Sequence, residues 1–586
     1  MITRLTLRNF KSIGEQVYDF TRFDLLVGRN NSGKSTVLQA LAIWQFCVDE
    51  FHRSKRTGNT GIQVVLPNFT ALPVPEFILL WKDRTDRAYP LDATTGKRKQ
   101  EFILIEILLD WQDSAGDTGS FGVELRYHSP QTIYAIPAGG WARFRECEKS
   151  GKLPRIAYVP PFSGLEPTEK WLDISPMRQQ VGKGQPGSVL RNLLLRVSSV
   201  PARDGNGAAK TPPLSLAETD WQELANVVER WFSVKISQPQ YESTKDVYIT
   251  VEYAQNGRSY DIIAGGSGFH QTLTLLAFLY GYKPTTILLD EPDAHLHVNL
   301  QREILDYFKR KSLELGTQFL IATHAEEFAR GVDASQIVSL LNLVPRRVAS
   351  TPAVLQAMAD VSNEEITRLM ASPFILYVEG ESDERILRAW AGSCGAQDAI
   401  DKVCFKAMGG GGKANMKERA DRHYAALQQI IPSVLRLMLF DYDDAEDAFH
   451  PEPGNPALAE WKRKNIENYL LVPDAWKRAA LRQLQLSDGD LFSQATLQQI
   501  DDFFLDQNLT LPPSRTWRNV SANVFSVVDG KKILFGDADA LFHRLKRGEP
   551  SVQLVREDIA LDMTTEEIHD DVHDFMTKVV AMTGSA

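Results

Sequence analysis

The sequence predicts an α/β protein built on parallel sheets, and three observations carry that prediction. Short apolar runs, Phe23–Val27, Thr286–Leu289, Phe319–Ala322, Phe374–Val378 and Leu435–Phe440, read as strands buried on both faces. Stretches of helical period stand among them: Thr36–Phe46, a helix opened by the Gly265–Gly268 cluster and running through Leu279, and Leu300–Leu315. Several of the runs end in glycine or in acids, at the carboxyl edge where open α/β sheets collect their ligands.

The 586 residues suffice for about three to five domains. Apolar residues make up 43% and charged residues 24%, enough core material to exclude wholesale disorder. Acids outnumber bases 75 to 65, a formal charge of −10. That excludes a nonspecific basic coat but leaves room for a local basic groove that takes nucleic acid. Cys47, Cys147, Cys394 and Cys404 lie far apart with no CxxC, which excludes a zinc ribbon and a disulfide scaffold and suits a reducing cytoplasm. Met1–Leu7 alternates like a strand rather than a signal peptide. The longest apolar stretch, around Leu273–Tyr282, is too short to span a bilayer, so no membrane segment is expected.

Taken in order, Phe23–Val27 leads into the loop Gly28–Ser35 and the helix from Thr36. Phe102–Leu109 and Phe121–Tyr127 read as strands of an antiparallel decoration on the first sheet. Arg155–Pro161 is a further buried strand. Residues 165–235 read as mostly helical, with Ala202–Thr211 as a loose loop, and Val247–Tyr253 returns to strand. Pro345–Met370 reads as a linker plus a short helix. A second α/β unit then holds strands Phe374–Val378 and Leu435–Phe440, a third at Val524–Val528, and helices over residues 473–520. There is no internal repeat and no heptad run long enough for a coiled-coil arm.

Gly28-Arg29-Asn30-Asn31-Ser32-Gly33-Lys34-Ser35 fits G-x-x-x-x-G-K-[ST] in full. The glycines let backbone N–H groups curl around a phosphate chain, from Asn30 to Thr36, with Lys34 reaching the outer phosphates and Ser35 a Mg²⁺ ion. Ile287–Leu289 delivers Asp290 and Glu291, acids placed to hold the ion and to polarise an attacking water. Glu291-Pro292-Asp293-Ala294-His295-Leu296-His297 resembles the ABC-type ATPases, in the branch that contains SMC and RecF proteins. The resemblance implies that Gly265–Gln271 is the signature loop, with Ser267 and Gly268 meeting a nucleotide held by an opposite subunit. Its order differs from the commoner S-G-G-Q. His324 reads either as a packed core histidine or, by the resemblance, as a switch histidine. With no heptads between the two motifs, a compact ATPase head is expected rather than a long-armed one.

In the second unit, Val378-Glu379-Gly380-Glu381-Ser382-Asp383 and Phe440-Asp441-Tyr442-Asp443 each follow an apolar strand. Clustered hard oxygens of this kind suit Mg²⁺ or Mn²⁺, and two such ions can clamp a phosphodiester. Asp441–Asp447 also reads as a solvated acidic loop. Met408–Lys413 reads either as a phosphate-facing glycine run or as a plain turn before a helix. The order strand-E-G, then strand-D-x-D, resembles a Toprim domain. An ABC-type head followed by Toprim resembles the OLD (overcoming lysogenization defect) family of ATP-dependent endonucleases, to which the Gabija nuclease subunit and some retron-linked effectors are similar. That resemblance implies Glu379 as ligand or acid/base, and Asp383, Asp441, Asp443 and Glu467 as metal ligands. It also implies Lys531, in Gly530-Lys531, as the cation at the transition state, with Lys532 the neighbouring alternative. Glu467 equally reads as part of an ordinary helix start.

The resulting expectation is an ATPase N-terminal lobe over 1–164 with a β-rich insertion, and a helical dimerisation insert over 165–235. An ATPase C-terminal lobe spans 236–345, a linker 346–372, and a Toprim domain with a helical insertion 373–586. Function is expected as ATP-regulated, metal-dependent DNA cleavage in antiviral defence. The expected ligands are ATP and Mg²⁺ or Mn²⁺. The expected partners are DNA, a second copy of the chain, and a defence protein or RNA encoded nearby. The alternative is an ATP-dependent DNA clamp or sensor that recruits a separate effector.

Overall fold

The computed structural model describes residues 1–56, 60–91, 98–113, 115–198, 217–341, 344–348, 350–442, 455–487, 491–521 and 523–585. Two compact units result, Met1–Leu355 and Gln356–Ala586.

The first unit is organised by a six-stranded sheet in the order Ile156–Val159, Thr286–Asp290, Gln318–Thr323, Phe23–Val27, Ile337–Ser339, Arg346–Arg347. All neighbours are parallel except the last pair. Phe23–Val27, Thr286–Asp290 and Gln318–Thr323 are buried at every position, as strands covered on both faces must be. Gln318–Thr323 separates the strand that enters the glycine loop from the one that ends at Asp290. All three carboxyl ends therefore open on one edge.

A second six-stranded sheet is antiparallel, in the order Ile13–Asp19, Ile2–Phe10, Ile105–Gln112, Thr118–Ser129, Thr132–Pro137, Ile62–Val65. Ile105–Gln112 alternates buried and open positions, the mark of a sheet with one packed face. That face shares a core with helix Lys34–Arg53, through Leu41, Trp44 and Phe51. The sequence reading of a decoration on the first sheet needs correction: the two N-terminal strands leave the parallel sheet and found a sheet of their own.

Val247–Tyr253 is also corrected. The strand is Glu252–Gln255, paired with Arg258–Asp261. Ile249 is buried with its N–H on the carbonyl of Glu169, and Thr250 pairs with Gln240 in a single antiparallel bridge, so the pairing there is too short to make a strand. Ala202–Thr211 lies outside the described residues. Helices Ile174–Gly182, Leu190–Ser198 and Ala217–Phe232 occupy the described part of 165–235. The longest described helix, Lys34–Arg53, has 20 residues.

The second unit carries a four-stranded sheet, all parallel, in the order Cys404–Ala407, Phe374–Val378, Leu435–Phe440, Leu458–Glu460. Two of these strands were not legible in the sequence. Val524–Val528, expected as a strand, is instead the helix Asn523–Val527, with the carbonyls of Phe525 and Val528 held by the Asn468 amide. In chain order the sheet reads 2-1-3-4. The winding therefore reverses beside Phe374–Val378, and the crevice of a doubly wound sheet opens between its carboxyl end and that of Leu435–Phe440. Residues 350–371 form two helices, Thr351–Asp360 and Asn363–Ala371, the second started by a capping box of Ser362 and Glu365. No described helix is long and apolar enough to cross a membrane.

One buried ion pair ties the parallel sheet together. Asp24, fully buried in the central strand, receives both guanidinium nitrogens of Arg347 on the edge strand, at 2.5 and 3.0 Å. Truncation removes the charge partner and leaves Asp24 to the N–H and hydroxyl of Thr21, at 2.6 and 2.7 Å. Arg347→Ala is expected to cost about 2 kcal/mol, read as a lowered midpoint in the first transition of a thermal or denaturant melt.

Candidate functional site

The glycine loop joins strand Phe23–Val27 to helix Lys34–Arg53. Gly33 sits at φ +93° and Asn31 at +65°, the left-handed turns that curl the loop. A Cβ on Gly28 would stand 2.4 Å from Ser32 Oγ, so any larger residue there would displace the Ser32 side chain. Asn30 and Asn31 lie exposed on the crown, with Ser32, Gly33, Ser35 and Thr36 half-buried beneath them. Lys34 is buried, and its ammonium donates to the carbonyls of Gly28 at 2.8 Å and Arg29 at 2.9 Å. Burial lowers its pKa, against the opposing pull of Glu291, Asp290 and Asp293.

Ser35 Oγ donates to Asp290 Oδ1 at 2.9 Å, and the Tyr158 hydroxyl donates to Asp290 Oδ2 at 3.0 Å. Burial pushes Asp290 up, while the Ser35 and Tyr158 hydrogen bonds hold it back. A hydroxyl and a carboxylate side by side next to a buried lysine are the hard donors a Mg²⁺–triphosphate takes.

Glu291 adopts φ +51°, a left-handed conformation that costs a non-glycine residue on the order of 1 kcal/mol or more. Its N–H donates to the Ala322 carbonyl at 2.8 Å, and its own carbonyl accepts from Gln271 Nε2 at 3.2 Å. Its carboxylate stands 3.4 Å from Nδ1 of His324. His324 is 52% exposed in its side chain, so it is not a packed core histidine. Asp293 is buried, which raises its pKa, and accepts from Thr323 Oγ1 at 2.6 Å, fixing the turn after Glu291.

Ser267 and Gly268 open helix Ser267–Tyr282, with Ser267 exposed. Among the described residues, no hydrogen bond joins either to the glycine loop of the same chain. Gly268 packs instead on the carbonyl of His295, where an added Cβ would stand at 2.9 Å.

In the second unit the acids gather at the crevice. Glu379 follows Phe374–Val378 and accepts the Asp441 N–H at 3.0 Å through Oε1. Asp441 Oδ1 accepts the N–H of Ile466 at 3.0 Å, drawing in the turn Ile466–Leu470 that carries Glu467. Asp383 is buried in the first turn of helix Glu381–Ser393, with its pKa raised by burial and by the nearby Glu467 carboxylate.

Of the five acids expected to share an ion, four are described. Among the described residues no three His, Cys, Asp or Glu side chains form a group able to hold a metal ion. Asp383 Oδ2 accepts the Gly380 N–H at 3.2 Å as a helix cap, and Glu467 Oε1 takes the Arg556 guanidinium at 2.8 Å. Glu379 and Asp441 remain side by side. Asp443 lies outside the described residues.

Gly530 abuts the Glu467–Asn468 backbone. Its N–H donates to Asn468 Oδ1 at 3.0 Å, and a Cβ there would stand 2.8 Å from Asn468 N. Lys531 and Lys532 are both exposed at a π-turn, Lys532–Gly536, and Lys532 stands 3.4 Å from Asp537. Lys413 does not face outward. Its ammonium is buried on the Tyr442 carbonyl at 2.7 Å and Glu460 at 2.9 Å.

The sequence reading missed Tyr158 and Arg556, and it placed Gln271 in the signature loop without its contact to Glu291. Tyr158 and Arg556 act through contacts far along the chain, and each is an ordinary member of its strand or helix locally.

A family profile described as an AAA ATPase domain matches residues 1–55. A second, an AAA domain described as a putative AbiEii toxin of a type IV toxin–antitoxin system, matches 202–328. The first unit therefore carries AAA-type ATPase sequence, which implies ATP and its divalent cation as ligands. Neither profile reaches the second unit. No curated protein matches the chain.

Similar solved structures include an SMC head bound to the C-terminal winged-helix domain of ScpA, 16% identical, covering 58% of this chain and 94% of that one at a TM-score of 0.34. The SMC head domain from Thermotoga maritima is 14% identical over 60% of this chain and 99% of its own, at 0.30. An SMC head with an extended coiled coil, bound to the C-terminal domain of ScpA derived from Pyrococcus furiosus, is 15% identical over 59% and 95%, at 0.32. Superpositions this loose transfer no residue and no role.

Tyr158→Phe removes one donor to Asp290 at no cost in ring volume. A lost hydrogen bond to a charged group is worth about 1.5–3 kcal/mol, so steady-state ATP turnover is expected to fall by roughly tenfold or more, measured by phosphate release. Gly530→Ala is expected to lower the melting midpoint of the second unit through its clash with the Glu467–Asn468 backbone.

Proposed function

We propose that the chain is an ATP hydrolase whose second unit is a divalent-metal-dependent nuclease under nucleotide control, of the OLD type and acting in defence. The observation that carries the ATPase reading is the meeting of Ser35 with Asp290 beside Lys34, in a unit whose sequence matches AAA-type profiles. Lys34 offsets the charge of the outer phosphates, and the backbone amides from Asn30 to Thr36 cradle them. Ser35 and Asp290 would hold the Mg²⁺. Glu291 orients and polarises the attacking water, and His324 steadies the Glu291 carboxylate and faces the transferred phosphate. Ser267 and Gly268 present a helix N-terminus to solvent, a geometry suited to the nucleotide of a second copy.

The nuclease reading is supported by the pairing of Glu379 with Asp441 at the crevice where the sheet winding reverses. Glu379 and Asp441, joined by Asp443, would hold Mg²⁺ or Mn²⁺. When bound, such an ion supplies Lewis-acid stabilisation of phosphodiester cleavage. Asp383 and Glu467 position that edge from behind, the one as a helix cap and the other through Arg556. Lys531 is the exposed cation offered to the developing charge. The defence role follows from the toxin–antitoxin description of the second profile and the OLD resemblance.

Lys34→Ala and Glu291→Gln are each expected to reduce ATP turnover by at least 100-fold. Incubation of the full chain with plasmid, ATP and Mg²⁺ or Mn²⁺ is expected to nick or cut it, and Glu379→Ala to abolish this. Intact plasmid alongside brisk ATP turnover would assign the chain instead to DNA clamps or sensors.

A further inference from the structure

A cavity of about 440 Å³ opens on the other flank of strand Phe374–Val378, away from Asp441. Its floor is Tyr377 and His423, joined from the Tyr377 hydroxyl to His423 Nδ1 at 2.9 Å. Its walls carry Lys406, Arg419 and Arg422, and Asp360 is the one acid in the lining. Tyr377 and Lys406 are paired in register on adjacent strands, so both face the cavity side of the sheet.

The charges around it are unequally answered. Glu365 takes the Lys406 ammonium at 2.7 Å and stands 3.5 Å from His423 Nε2. Glu418 pairs with Arg422 at 3.0 Å on an exposed helix face, an interaction of little strength. Asp360 accepts the Gln356 amide. Arg419 is different. Its guanidinium donates to the carbonyls of Gly409 and Gly410, both at 2.8 Å, which fix its position without cancelling its charge. The glycine run Met408–Gly412 thus holds an arginine, not Lys413, in the wall of the cavity. Gly409 and Gly411 take φ of +76° and +125°, left-handed turns that curl the run around the Gly409 and Gly410 carbonyls.

The same glycine run touches the acid edge. The Gly409 N–H donates to the Glu379 carbonyl at 3.1 Å, and the Met408 N–H to that of Val378 at 2.7 Å. A preorganised arginine with a second arginine and a lysine around one concavity is the donor set that takes phosphate. We propose that this cavity binds a phosphate group of a nucleotide chain, with Arg419 as its anchor, so that a strand lying across Glu379 is gripped one step from the cleavage edge. The inference rests on the nuclease reading for the identity of the strand, but its chemistry requires only a phosphate.

The test uses the full chain carrying Glu379→Gln, which cannot consume its ligand. Binding of a fluorescein-labelled single-stranded 20-mer is followed by anisotropy across a salt series. Thymidine 5′-monophosphate serves as the free-nucleotide probe in a second arm. Arg419→Ala, and separately Arg422→Ala in case the first disturbs the glycine run, are expected to weaken strand binding roughly tenfold and fivefold. Each is expected to reduce the slope of log K against log salt by about one. Loss of mononucleotide binding alone keeps the phosphate site and assigns it to free nucleotide. Unchanged affinity and slope in both arms, in folded variants, overturns the proposal. Cleavage is read separately with the unsubstituted chain: no cleavage together with Arg419-dependent binding removes the nuclease reading and leaves this site standing.

Discussion

Ser35 and Asp290 are 255 residues apart in sequence and 2.9 Å apart in space. That contact exists because Asp290 ends one parallel strand and Ser35 opens the helix that the glycine loop joins to another, with a single strand, Gln318–Thr323, between the two. A parallel sheet sends every strand's end to the same edge, whatever the length of chain between strands. The long intervening stretch can therefore supply four of the six strands of the antiparallel sheet without disturbing the phosphate loop. The same rule operates in the second unit, where Glu379 and Asp441 meet across adjacent parallel strands.

At both edges the charges are held by partners of fixed position. Lys34 leans on loop carbonyls, Asp290 on two hydroxyls, Asp441 on a backbone amide, and Glu467 on Arg556, whose guanidinium in turn lies 4.5 Å over the Phe535 ring. Buried charge without such partners would titrate away. The partners differ in kind, and the difference has a chemical consequence. A carboxylate tied to an arginine is already neutralised, whereas one tied to a backbone amide keeps most of its charge for an incoming cation. Glu467, on Arg556, is of the first kind.

Much of the first edge was legible in the sequence because its chemistry is local. Eight consecutive residues specify the phosphate loop, and two acids end an apolar strand. Tyr158 and Arg556 were not legible. Their contacts span 132 and 89 residues, and nothing in the flanking period marks them. Gln271, 20 residues before Glu291, sits in a helix buried almost all round, where periodicity singles out no face. The misread strand at Val524–Val528 fails for a related reason: a short β-branched and aromatic run packs equally well as a helical turn once Asn468 satisfies its carbonyls. The ligand set of the second unit was read from strand-end acids and a family resemblance, and neither reveals that Glu467 holds Arg556 or that Asp383 caps its own helix.

The left-handed backbone at Glu291 has a mechanical side. It is pinned from one direction by the Ala322 carbonyl and from the other by the Gln271 side chain. Gln271 rides on the first turns of the helix that begins at Ser267, whose end is exposed. A shift of that end would be carried through four residues of helix to a peptide unit already twisted against its preference, with no moving loop required in between.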